Sequence, residues 1–210
     1  MKKTMCLAVA AILSPMMLEA GGIGVYIPYS IGQKTTGTLY SSSGLNDVPI
    51  DVKLKNKPGI GFAFATNLGK DSVSGYKLGL EYTNPESENG RDSASKIGIL
   101  NTLEFAVYNN DMIKLWLGPR LNLGYEWYDD GVFSRKGMEI GIAPATGINV
   151  NLPGNVSITF DIDYKFAWQD GSASGPTRVY PDTYEAYTSS PTGMTARLGV
   201  MYRFGEEDLY

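Results

Sequence analysis

The chain of 210 residues contains no histidine. Histidine is the side chain that most readily gives and takes protons near neutral pH. Its absence removes Ser-His-Asp and Cys-His catalysis, histidine metal sites and histidine haem ligation. Cysteine is almost as scarce. Cys6 is the only one, so the chain forms no internal disulfide and no thiolate cluster. Cys6 also follows KKTM too closely to be a lipidation box. No basic excess exists: 18 Lys and Arg stand against 22 Asp and Glu, for a net charge of −4. Nucleic acid is therefore excluded as the main partner, because nothing is left over to neutralise phosphates. Long apolar runs are missing too, since no stretch reaches the roughly 18 residues a spanning helix needs.

The N-terminus carries a targeting pattern. Lys2 and Lys3 form a positive start, Cys6 to Leu13 a short apolar core, and Leu18-Glu19-Ala20 ends in a small residue. Residues 1–20 are thus expected to be a signal peptide cleaved after Ala20, leaving 21–210 as one exported, cysteine-free domain.

The rest of the chain is organised in twos. In Met112–Trp127 the apolar positions are Ile113, Leu115, Leu117, Pro119, Leu121, Leu123, Tyr125 and Trp127. Lys114, Trp116, Gly118, Arg120, Asn122, Gly124 and Glu126 alternate with them. A helix cannot sort residues with period two, whereas a strand does. The same period recurs in Ile23–Tyr29, Gly59–Thr66, Gly75–Thr83, Lys96–Tyr108, Met138–Leu152, Val156–Trp168 and Gly193–Phe204. Eight strands follow, with Asn101 breaking the apolar side of the fourth.

The connections differ in length. Segments 31–57, 84–95 and 169–192 are long, whereas Asn109-Asn110-Asp111 and Pro153-Gly154-Asn155 are tight. Short turns at one end and long loops at the other predict an all-β, antiparallel, up-and-down transmembrane barrel with the short turns periplasmic. Paired residues across a hairpin share a face. Parity therefore gives both tight turns three residues, with Gly154 or Asn155 left-handed. Pro119 and Pro144 donate no hydrogen bond, so a local bulge or kink is expected at each.

With lipid on the apolar side, one set of charges points inward: Lys77, Lys96, Lys114, Arg120, Lys165, Arg197 and Arg203, against Glu81, Glu104, Glu126, Glu139, Asp161 and Asp163. They nearly cancel. An eight-stranded barrel is just filled by its side chains, so these charges are expected to pair as a salt-bridged plug. The competing readings are an ion path and, for Glu81, Asp161 and Asp163, glycosidase-like acid/base carboxylates. Asp129-Asp130 and the Gly205–Tyr210 tail lack the spacing of a calcium loop. No catalytic, cofactor or metal site is expected. Tyr29, Tyr82, Tyr125, Trp127, Phe166 and Trp168 end the upward strands and predict an outer aromatic girdle, with Tyr76, Tyr202 and Phe204 at the periplasmic rim.

The eight alternating segments and the last strand, MTARLGVMYRF, make the chain resemble the small eight-stranded outer-membrane barrels of Gram-negative bacteria. These are the barrels related to OmpX, OmpW and the OmpA transmembrane domain. The resemblance implies an outer-membrane location in contact with lipid and lipopolysaccharide. It also implies delivery by the barrel-insertion machinery, with Phe204 as assembly signal ahead of the GEEDLY tail. Members act as adhesins, cell-envelope structural proteins or porin-like routes for small hydrophobic molecules. Enzymes of this architecture resemble one another in needing histidine.

Three functions are carried forward. One is a non-enzymatic barrel with a closed lumen whose loops, 31–57 and 169–192, meet a surface ligand or support envelope integrity. The apolar residues of those loops are Leu39, Tyr40, Leu45, Val48 and Ile50, with Val179, Tyr180, Tyr184 and Tyr187. Such residues mark recognition surfaces or fold over the barrel mouth. Another is a passive route for small hydrophobic solutes. The last is a soluble lipocalin-like barrel with the apolar face turned inward.

Overall fold

The computed structural model describes residues 21–41, 47–66, 73–88, 93–129, 133–175 and 184–204. The expected signal peptide and the tail after Phe204 lie outside them, as do Leu45, Val179, Tyr180 and Asp130. The strands are β1 (Gly21–Ser41), β2 (Val48–Lys53), β3 (Ile60–Thr66), β4 (Ser74–Thr83), β5 (Ser95–Asn109), β6 (Ile113–Asp129), β7 (Ser134–Leu152), β8 (Val156–Ser174) and β9 (Tyr184–Phe204). Every neighbour pair is antiparallel, and β1 pairs with β9 to close the ring.

Nine strands make eight staves. β2 and β3 lie on the same edge of β1 in one register: Gly21 faces Thr66, Tyr26 faces Gly61, and Lys34 faces Lys53. They are one stave broken at residues 54–59. Beside the break, β1 carries a bulge between Ile31 and Lys34, with Gly32 left-handed at φ 59°. The Gly32 N–H donates to Asn56 Oδ1 at 3.0 Å. A glycine suits this place because it takes a positive φ without steric cost.

Two segments expected to be loops are largely strand. β1 continues to Ser41 and returns as β2, whereas β8 runs to Ser174 and β9 starts at Tyr184. The alternation is hidden there because the outward residues are polar: Thr36, Tyr40, Asp170, Ser172, Glu185 and Thr188. The barrel wall therefore stands well above the girdle.

The turn 153–155 has three residues, with Gly154 at φ 76° and Asn155 at 61°. The other tight turn is shifted by one, to residues 110–112. A register shift between Ala106 and Tyr108 leaves Val107 and Tyr108 both facing out.

No bulge forms at the prolines. Pro119 and Pro144 face each other in an unshifted β6–β7 ladder. Neither has an N–H, so they occupy a non-hydrogen-bonded pair, and the missing donors point to the outer neighbours. The β5–β6 ladder accordingly skips from Thr102–Arg120 to Phe105–Leu117, and the β7–β8 ladder from Ile142–Phe166 to Ala145–Asp163. The register is unchanged in both.

The apolar face points out. Ile23, Phe62, Leu80, Leu103, Leu121, Ile142, Phe160 and Val200 are exposed around the ring, while the charged face is buried. This overturns the lipocalin-like reading, which needs the opposite. No helix among the described residues is long and apolar enough to cross a membrane.

Candidate functional site

The lumen has three levels. At mid-barrel, six charged groups form the plug. Lys77 Nζ lies 2.9 Å from Asp161 Oδ2, and Arg120 Nη1 lies 2.8 Å from Asp161 Oδ1 and 2.5 Å from Asp163 Oδ2. Arg197 donates to Asp163 and Glu81 and sits 3.4 Å from Asp161. Arg120 Nε also donates to Thr102 Oγ1 at 2.7 Å. Three cations meet three anions, all on β4, β6, β8 and β9, so the plug is neutral. Each residue sits inward because of strand parity alone.

Room for the plug comes from glycine in a specific way. The Tyr26 ring lies across Gly61 and Gly79: a Cβ at 61 would fall 2.3 Å from the ring, and one at 79 would fall 2.6 Å from its hydroxyl. Lys77 Nζ sits 5.9 Å from the same ring centroid, within cation–π range. Trp116 uses Gly147 in the same way. Inward aromatics, as well as long charged chains, fill the space that the small residues leave.

Above the plug lies a polar vestibule of about 860 Å³, counting its open mouth. Glu139 on its wall takes both Lys96 and Lys165, the latter at 2.9 Å. At the broken stave Glu86 takes both Lys55 and Lys57. These two lysines hold the Glu86 carboxyl down at about 2, from an ordinary 4.5. Backbone bonds fasten the same segment: Lys55 N–H donates to Glu86 O at 2.7 Å, and Glu88 N–H to Lys53 O at 2.9 Å. The Lys55–Glu86–Lys57 cluster lies in segments without alternation, so the sequence pattern could not reveal it.

A smaller chamber continues upward. One wall is apolar: Ile50, Val52, Leu54, Pro85 and Ala94. The other carries Glu126, Arg135, Gln169, Tyr187 and Ser189. Arg135 Nη2 donates to Glu126 at 3.1 Å, and its guanidinium lies 5.8 Å from the Tyr187 ring centroid. Leu39, Ala173, Tyr184 and Tyr187 close the top, packed by Val48, Ile50 and Phe133. The apolar residues of the two outer segments thus fold into the mouth, and Tyr40 is the one among those described that stays exposed. Below the plug, Glu104 and Lys114 are buried, and Arg203 donates to the Leu152 carbonyl at 3.2 Å.

On the outside, Tyr29, Tyr82, Tyr125, Trp127, Phe166 and Trp168 are exposed near one level, and Tyr125 and Trp127 stack at 5.9 Å. Tyr202 and Phe204 face out at the other end. Tyr76, near the start of β4, donates to Asn101 Oδ1 at 2.6 Å. That bond accounts for the polar residue that interrupts the apolar side of β5.

An apolar belt around an ion-paired interior defines an integral outer-membrane β-barrel, its outer face in lipid. Solved structures share the architecture. Outer membrane protein OprG from Pseudomonas aeruginosa matches with a TM-score of 0.67 at 11% identity, over 89% of this chain and 96% of that one. Outer membrane protein AlkL, solved in lipid bilayers, matches at 0.53 and 14%, over 91% and 94%. A major outer membrane protein from Thermus thermophilus matches at 0.51 and 10%, over 88% and 99%. No family model matches the chain, and no curated protein matches its sequence. At these identities the likeness is one of fold.

Proposed function

We propose that this barrel is a non-enzymatic outer-membrane protein that closes its lumen and holds an interaction surface above the membrane. The observation that carries this reading is the neutral plug of Lys77, Arg120, Arg197, Glu81, Asp161 and Asp163 beneath a strand wall that rises past the girdle. Asp161 meets three cations, Asp163 two and Glu81 one, so these carboxylates are engaged in ion pairs and suit structure better than glycoside cleavage. Lipopolysaccharide would surround the rim, insertion machinery would deliver the chain through Phe204, and an extracellular surface would be met through segments 31–57 and 169–192.

The test has two parts. The refolded full chain in a planar bilayer should show no steady conductance, and a persistent open channel overturns the plug. Deleting 42–46 and 176–183 should lower adherence of expressing cells to host cells or matrix, with heat-modifiable migration unchanged. Unchanged adherence overturns the surface role.

A second reading rests on one observation, the apolar inner wall of Ile50, Val52 and Leu54 beside the broken stave. A small hydrophobic solute could enter the upper chamber and leave sideways. Faster uptake of a neutral alkane by expressing cells than by a vector control would favour it.

A further inference from the structure

The charges of the lumen do not cancel once the vestibule is counted. The plug is neutral, and Arg135 is matched by Glu126. Glu139, however, is shared by Lys96 and Lys165, and Glu86 by Lys55 and Lys57. Each Lys–Glu–Lys cluster leaves one positive charge over. Among the described residues of the plug and the two chambers the surplus is two. Each of the two carboxylates already meets two cations, and each ammonium keeps donors to spare for a further acceptor. The Lys96–Glu139–Lys165 cluster is enclosed, and uncompensated charge there is costly, whereas Lys55 and Lys57 are half-exposed and hold theirs at the open side of the vestibule.

A second feature is independent of charge. Asn122 lines the same vestibule from β6, is 5% exposed, and its Nδ2 has no partner. Buried amide donors are almost always satisfied. The first feature asks for negative charge and the second for a hydrogen-bond acceptor, and a carboxylate supplies both. The chamber above then sets its shape, because it shares Thr35, Leu54, Pro85 and Glu126 with the vestibule and offers the apolar wall of Ile50, Val52 and Leu54.

We infer that the vestibule is a binding site for a small amphipathic carboxylate, its head between the two Lys–Glu–Lys clusters and Asn122 and its apolar body against β2. The site lies above the plug. It therefore does not depend on whether the barrel conducts or adheres.

The full chain refolded in lipid nanodiscs is titrated with hexanoate by calorimetry. Hexanamide and inorganic phosphate serve as the neutral and the wholly polar controls. Hexanoate should bind saturably at one site, at least about tenfold more tightly than either control, the size of one lost charge-assisted hydrogen bond. Lys57→Gln, at a half-exposed position, should weaken it by about tenfold, and Asn122→Leu by a smaller factor. Both should keep heat-modifiable migration. Equal binding of hexanamide overturns the anion site and leaves the hydrophobic-solute reading standing. Equal binding of phosphate overturns the amphipathic ligand. No hexanoate binding to a correctly folded barrel, or binding indifferent to both substitutions, overturns the site itself.

Discussion

The membrane-level half of the barrel and the half above the girdle are built from the same strands with opposite polarity. On β6, Leu117, Leu121 and Leu123 face out, and Arg120 and Asn122 face in. Higher up on β1, Thr36 and Tyr40 face out and Leu39 faces in. The lower half stands in lipid, so its apolar groups belong outside and its charges must find one another within. The upper half stands in water, and its interior adds an apolar cluster at the mouth, Leu39, Ala173, Tyr184 and Tyr187, to a polar wall that includes Glu126, Arg135, Gln169 and Ser189. The bulge at Gly32 is the device that turns β1 over between the two. Below it odd-numbered residues face out, and above it even-numbered ones do. The same substitution should therefore have opposite consequences on either side of that level.

The plug gives the largest expected contrast. Arg197→Met leaves Glu81 short of its arginine, and Asp161 and Asp163 share one cation fewer. Removing one partner of a buried charge network costs about 3–5 kcal/mol. Lys34→Met removes an exposed upper pair, Lys34–Asp51 at 3.1 Å with 44% and 68% side-chain exposure, and costs under about 1 kcal/mol. Urea unfolding from lipid vesicles, followed by heat-modifiable migration, measures both. Equal costs would break the comparison.

Next is the outer surface. Leu121→Arg puts a charge into the middle of the lipid belt and should cost about 2–4 kcal/mol. Thr36→Arg, on the water-facing wall, should cost within about 0.5 kcal/mol, as surface substitutions do. The same unfolding assay reads the pair. A large cost at Thr36 would move the membrane boundary above the bulge.

A packing change of intermediate size separates charge from space. Gly61→Val drives a side chain into the Tyr26 ring that now lies over the glycine. Overpacking of this kind costs about 1–3 kcal/mol. Pairing it with Tyr26→Ala should recover part of the loss, because the obstacle and the ring act at one place. Strictly additive losses would mean that the glycine serves some other purpose.

The same contrast decides what the sequence could tell. In the lower half an unbroken apolar face such as Ile113–Trp127 is lipid's own pattern, so strands, facing and the inward charges could be read from alternation. The pairing of Arg120 with Asp161 and Asp163 could not, since it depends on how β6 and β8 stagger across the lumen. Above the girdle the outward side is Thr, Ser, Lys and Asp, and alternation dissolves into what reads as loop. The bulge at Gly32 then shifts parity, so Leu39 carries the parity of the lipid face while pointing into the core. Lys55, Lys57 and Glu86 lie between strands and are invisible to alternation, whereas Arg135 keeps the inward parity of Gly137 and Glu139 on a part of β7 whose outward residue, Lys136, is polar. Pro119 and Pro144 mislead differently. Each breaks a hydrogen bond, but opposite each other they leave the register intact, and one-strand reasoning predicts a bulge where two strands need none.

The smallest effect tests the join between the halves. Glu86 sits where the broken stave meets the β4–β5 segment, outside the lipid belt, with its carboxyl held at about 2 by Lys55 and Lys57. A carboxylate with a folded pKa below its unfolded 4.5 adds stability that is complete above that value. The contribution is lost as pH falls from about 4.5 towards 2. The loss should be local. Amides that fasten this segment, Lys55, Glu88 and Ala94, should lose exchange protection across that window while those of β6 and β7 keep theirs. In Glu86→Gln the acid step should vanish, and the three amides should exchange faster than in the parent chain above about pH 4.5, with the difference closing towards pH 2. If β6 opens at the same pH as Lys55, the two halves unfold as one unit and the join is no weaker than the barrel it closes.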